Sequence, residues 1–153
     1  MTTEQNDNEA PHIAIISQYI KDFSFENPNA PNSLVKLAKT PSVELGIDLN
    51  ISKISESDAT FEVSLNIEAS AKTDDLTLFV IELSYAGIFV LYNLPEDQHE
   101  AILAIHCPNM IFPFARRIIS DVTQESGFQP LRIDPIDFGR MYHKKSQENQ
   151  RSN

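Results

Sequence analysis

Two stretches alternate so strictly that they leave little choice of fold. In residues 43–51, VELGIDLNI, the odd positions are Val43, Leu45, Ile47, Leu49 and Ile51; in residues 61–69, FEVSLNIEA, they are Phe61, Val63, Leu65, Ile67 and Ala69. A period of two sends each apolar set to one side of a strand, so both stretches read as strands buried on one face. The polar SKISESDAT between them is a turn, and KTDD makes another before a longer strand over about residues 76–92, LTLFVIELSYAGIFVLY. That strand is apolar on nearly both faces, the pattern of a central strand, with Val80 and Glu82 on a common face.

A first strand is expected from His12 to Glu26, where Phe23 and Phe25 alternate with Asp22 and Glu26. Residues 27–42, NPNAPNSLVKLAKTPS, hold three prolines and three asparagines and are too long for a tight hairpin, which predicts a crossover. The remainder reads as helix. Pro95 suits a first helical position, and Glu96 and Asp97 suit the positive end of the helix dipole. Pro108 should break or kink the helix, Pro113 should open a second segment, and the end falls near Gly127. A short last helix is expected, with Asp134 as N-cap, Pro135 in the first turn, and Phe138, Met141 and Tyr142 on one face. Gly139 weakens it by about 1 kcal/mol, so it must dock on something. The expected class is α+β: a four-stranded antiparallel sheet with a long crossover after strand 1, then a long interrupted helix and a short C-terminal helix. It forms a single domain over residues 12–143, between a disordered tail at 1–11 and a polar, unstructured tail at 144–153.

Charge and composition narrow the function. A net charge of -10 and a pI near 4.7 oppose binding to phosphate backbones, which depends on clustered Lys and Arg. No apolar run approaches the roughly 18 residues that span a bilayer. The first residues lack the basic start and apolar stretch of a secretory signal, and one cysteine makes no intrachain disulfide, so a cytoplasmic location is expected. The stretch HCPNMIFPFARRI, residues 106–118, sets His106 beside Cys107, but adjacent helical residues diverge by about 100° and do not face each other. His99 and His106 are seven residues apart, roughly 10 Å along a helix, against the three or four of helical metal ligands. DFG at 137–139 has no glycine-rich phosphate loop before it. No enzyme, metal or cofactor is expected.

What the sequence holds in excess is apolar surface: the two-sided fourth strand and the helix from Met110 to Ile119, more than one half-covered sheet requires. Against that background KDFSFENPNAP (21–31), AGIF (86–89), HCPNMIFPFAR (106–116) and FQPLRIDPIDFGRMY (128–142), in this order, closely resemble the SecB family of bacterial export chaperones. The resemblance spans about residues 12–143. It implies a homotetramer, a dimer of dimers with helices packed between them. It also implies a holdase that keeps non-native precursor proteins unfolded and delivers them to SecA, the ATPase of the Sec translocase. On the matching positions, SecA contacts fall to Asp22, Glu26, Val80 and Glu82. The client groove falls to Phe25, Leu34, Val35, Phe128, Leu131, Ile133, Phe138, Met141 and Tyr142. The oligomer interface is expected at Cys107, Met110, Ile111, Phe114 and Ile118. The chain departs from the family in having no tryptophan in the crossover, which reads LVKLAKTP. The alternative is a generic oligomeric peptide-binding protein without SecA coupling.

Overall fold

The computed structural model describes residues 10–35, 40–55, 57–74 and 76–151; most of the expected N-terminal tail and crossover residues 36–39 lie outside the described residues. The alternating stretches form β1 His12–Glu26, β2 Ser42–Ser55, β3 Thr60–Lys72 and β4 Thr77–Tyr92, an antiparallel sheet in the order β1-β4-β3-β2. β2, β3 and β4 follow one another through short turns, whereas the chain leaving β1 must cross to the opposite edge. On that crossing it makes one helical turn, α1 Asn32–Val35. Asn29 donates from its side-chain amide to the carbonyl of Thr77 at 2.8 Å, tying the crossover to the start of β4.

The pairing sorts the side chains into two faces. Phe23, Leu83, Ile67 and Ile47 form one row across all four strands, and Phe25, Ile81, Ala69 and Leu45 form the next. This inner face is covered by helix over β3 and β4, where Val63, Leu65 and Ile81 are fully enclosed, and is far more open along β2, where Val43 and Leu45 remain 45% exposed.

The long helix is interrupted ahead of Pro108 as expected, by a π turn and not by a break, and Pro113 opens no second segment. α2 Glu96–Ala101, five residues of π-helix at Ile102–His106, and α3 Cys107–Glu125 run in continuous succession, with Pro113 inside α3. The Cys107 amide donates to the carbonyl of Ile102, five residues back, just before Pro108. A widened turn there accommodates a residue that has no amide hydrogen and whose ring would crowd the preceding turn. Packing holds the rest: Cys107, Ile111, Ala115 and Ile119, spaced four apart on one face, have no exposure at all. At Gly87 the added Cβ of any other residue would lie 3.2 Å from Ile111, so glycine lets α3 approach β4 closely.

α3 ends where Gly127 takes φ 91°, with the Gly127 amide donating to Gln124 and the Phe128 amide to Thr123, a Schellman cap. The chain then runs without helix to α4, Phe138–Arg151. Two expectations are corrected here. The cap is Asp137, whose carboxylate accepts from the Arg140 amide at 2.9 Å; Asp134 lies in the nonhelical run before it. Residues 144–151, expected as unstructured tail, continue the helix, and Lys145 reaches Asp48 of β2 at 3.4 Å. Polar residues there are no obstacle, because Lys, Gln, Glu and Arg are all good helix formers.

Candidate functional site

On the inner face a groove of about 550 Å³ lies between the start of β2, the start of β4 and the run after α3, lined among others by Pro41, Val43, Leu78, Phe79, Phe128 and Leu131. A second hollow of about 400 Å³ shares Val43 and Leu131 and continues past Leu45, Ile133 and Ile136. The aromatic floor is a relay: Phe25 stacks on Phe79 with centroids 6.1 Å apart, and Phe79 tilts against Phe128 at 5.2 Å. The rim is pinned by a buried hydroxyl. Thr123 donates to the carbonyl of Ile119 at 2.9 Å and accepts from the Leu131 amide at 2.8 Å, which fixes Leu131 over the groove. The groove is mostly carbon and lies beside β2, which among the described residues pairs with β3 alone, an arrangement suited to extended, apolar, unspecialised polypeptide.

The expected groove residues divide. Phe128, Leu131 and Ile133 line it, and Phe25 supports it through Phe79. Leu34 packs over Gly127, its Cδ2 3.0 Å from where a Cβ would stand, while Val35 is 76% exposed beside it. Phe138 is not on a groove wall: it is 1% exposed and meets Phe112 edge to face at 5.9 Å. Met141 and Tyr142 line a separate hollow of about 170 Å³ against Leu49 and Ile51, farther along β2. Sequence reasoning did not assign Val43, Leu45, Leu78 or Phe79 to the groove. The alternation of 43–51 gave the first two their face; that this face stays about half open at Val43 and Leu45 was not in the pattern.

The outer face is acidic. Asp22 pairs with Ser84, Ser24 with Glu82, and Glu26 with Val80, so Asp22, Glu26, Val80 and Glu82 do share one face of adjacent strands. The same face carries further acids, among them Glu68 directly opposite Glu82, and Glu44 two positions from Gly46. A shallow hollow of about 260 Å³ opens among Glu44, Glu68 and Glu82, at the point where Gly46 supplies no side chain. Like charges set directly opposite cost stability, about 0.2–1 kcal/mol on the scale of cross-strand pairs. A basic partner would relieve that cost.

Of the expected interface residues, Cys107 and Ile111 are wholly enclosed within the chain and the half-buried Ile118 packs against the same core, while Met110 (36%) and Phe114 (50%) are exposed on α3. The physical reason is the four-residue spacing that makes Cys107 and Ile111 part of the sheet-facing ridge. His106 is exposed where Cys107 is buried, and His99 bonds the carbonyl of Leu94 at 2.9 Å. Among the described residues no three His, Cys, Asp or Glu side chains gather as metal ligands would. Nor is any helix there long and apolar enough to cross a membrane.

Burial pushes the Cys107 thiol from 9.0 up to about 12, the opposite of what a nucleophilic thiolate needs. Unfolded chain loses that proton near 9.0, so stability present below this pH is lost as pH rises toward 12. Tyr19, raised from 10.0 to about 12 by burial and then by its bond to Glu62, adds to the same limb. Thermal melts should show Tm falling above about pH 9, with a shallower first decline in Cys107→Ala. Identical slopes in both proteins would mean that the thiol titrates freely in the fold.

The fold has a counterpart among solved structures. A SecB-like chaperone of Mycobacterium tuberculosis, in complex with a ChAD peptide from the HigA1 antitoxin, matches with a TM-score of 0.68 over 81% of this chain and 90% of that one. At 15% identity this likeness speaks for the fold. Sequence carries it further. Protein-export protein SecB of Rickettsia akari is 55% identical over 97% of this chain and 98% of its own length. That of Rickettsia bellii is 55% identical over 98% and 99%. The family model described as preprotein translocase subunit SecB matches residues 6–149, and the chain belongs to the SecB family.

Proposed function

We propose that this chain is a cytoplasmic holdase of protein export that works as a homotetramer. It binds non-native precursors in the inner groove and passes them to SecA through the outer acidic face. The observation that carries this reading is the opposition of the two faces on one sheet. Carbon-lined hollows of about 550 and 400 Å³ lie on one side, and Asp22, Glu26, Glu82 and Glu68 lie on the other. A chaperone that hands over its client must hold client and receiver at once, and opposed faces permit that without competition. Assembly would use the apolar surface that remains: Met110 and Phe114 on α3, and the edge strand β1, where Ile16 is 63% and Ile20 50% exposed. The net charge of -10 on each protomer, repeated over the assembly, would steer a basic segment of SecA toward it.

The test is a pair of titrations of the intact protein, one with a chemically unfolded precursor and one with SecA, on a sample whose mass is read by light scattering. Both partners should bind, and the mass should be about four times 17.3 kDa. Precursor binding without SecA binding would narrow the protein to a general peptide binder. A strict monomer that binds neither would overturn the reading.

A further inference from the structure

Among the described residues of the protomer β1 pairs with β4 alone, so within the protomer that one ladder sets its register. It carries two irregularities. Ile15 stands opposite Phe89 but Ser17 opposite Ile88, and Ile20 stands opposite Tyr85 but Asp22 opposite Ser84, which leaves Ile16 and Lys21 as extra residues. Each extra residue exchanges the strand's two faces from that point on. If the pairing ran on unbroken from Ile20, Phe23 would fall opposite Glu82 and Phe25 opposite Val80. The rings would then lie among the acids, and Asp22 and Glu26 would point toward the helices. The bulge at Lys21 thus decides which half of the alternation faces which partner.

Glu62 of β3 reaches across β4 to this point. One of its carboxylate oxygens accepts from the Tyr19 hydroxyl at 2.5 Å and the other from the Lys21 ammonium at 2.8 Å. Tyr19 precedes the bulge and Lys21 is the bulged residue, so a single carboxylate grips both. These are charge-assisted bonds, and they hold the Glu62 carboxyl below its usual range, Lys21 contributing more than Tyr19. In the ladder the β4 residue opposite Glu62 is Ile88, six positions from Glu82, and Glu62 lines neither the groove nor the acidic hollow.

We propose that Glu62 is a positioning residue: by holding the bulge at Lys21 it sets the register of residues 22–26 and so orients both binding faces while touching neither partner. The proposal rests on the two-face reading above and assigns its control to one side chain.

The experiment uses the full chain with Glu62→Ala, Glu62→Gln and Tyr19→Phe. It reads amide hydrogen exchange over residues 22–26 together with affinity for unfolded precursor and for SecA. Glu62→Ala should lower protection over 22–26 by about tenfold, the scale of losing charged hydrogen bonds, and should weaken both partners together. Glu62→Gln, which keeps an acceptor oxygen, should recover part of each. Unchanged exchange over 22–26 would overturn the proposal. So would weakening confined to SecA, which would make Glu62 one more charge on the acidic face. Should Glu62→Ala fail to fold, Tyr19→Phe removes only one bond and must still loosen the amides of the same segment that bond β4. Should wild type bind neither partner, the two-face reading fails, and the exchange data decide the register claim alone.

Discussion

Glu26→Lys combined with Glu82→Lys is expected to weaken SecA binding by about 2–3 kcal/mol, or about 30- to 150-fold. Both carboxylates are exposed, and exposed pairs are each worth only about 0.2–1 kcal/mol. Reversal, however, removes two attractions and installs two repulsions toward a basic partner. The wild-type complex should weaken with added salt, and the variant should lose most of that salt dependence. Calorimetry or surface-bound kinetics at two ionic strengths reads both. The double variant should stay folded, because Glu82 stands directly opposite Glu68 and a lysine there turns a repulsive pair into an attractive one. Affinity that survives unaltered would sink the assignment of this face.

The second large effect lies on the other side of the sheet. Val43→Asp with Leu45→Asp should reduce precursor affinity by about 100-fold and leave SecA binding near wild type. Each side chain is 45% exposed in the groove, so a client can still bury a large part of it, at about 25 cal/mol per Å². A client strand laid over two aspartates would also have to strip water from both charges. Neither residue belongs to the enclosed core, so folding should survive, and equilibrium unfolding in urea checks this. Precursor affinity within about threefold of wild type would move the groove elsewhere. With the lysine pair, the aspartate pair makes a crossed design in which each variant silences one partner.

Much of this architecture was legible because alternation and turn chemistry are local. β1 was bounded correctly at His12 and Glu26, and β2 and β3 only lengthened at their ends. What was not legible depended on partners distant in sequence. Asp22 and Glu26 plainly share a face within β1, but their meeting with Val80 and Glu82 follows from a bulge that only the pairing with β4 reveals. Pro108 and Pro113 looked like breaks because intrinsic preference opposes them. Burial of Cys107, Ile111, Ala115 and Ile119 on the sheet outweighs the lost hydrogen bonds, and a π turn absorbs the ring. Met141 and Tyr142 carry the spacing of a docking face, yet α4 packs on the π segment and these two line a hollow beside Leu49 and Ile51, away from the main groove. Spacing gave a face its direction and left its destination to tertiary structure.

The place of β1 at the edge also bears on time. β2, β3 and β4 can pair soon after each is made, but β1 must wait for β4, whose last residue, Tyr92, lies well beyond Glu26. At about 5–20 residues per second of synthesis, that interval is about 3 to 13 s. For those seconds the nascent chain carries an unpaired strand with Phe23 and Phe25 on it, the kind of segment that the finished protein is built to shelter in others.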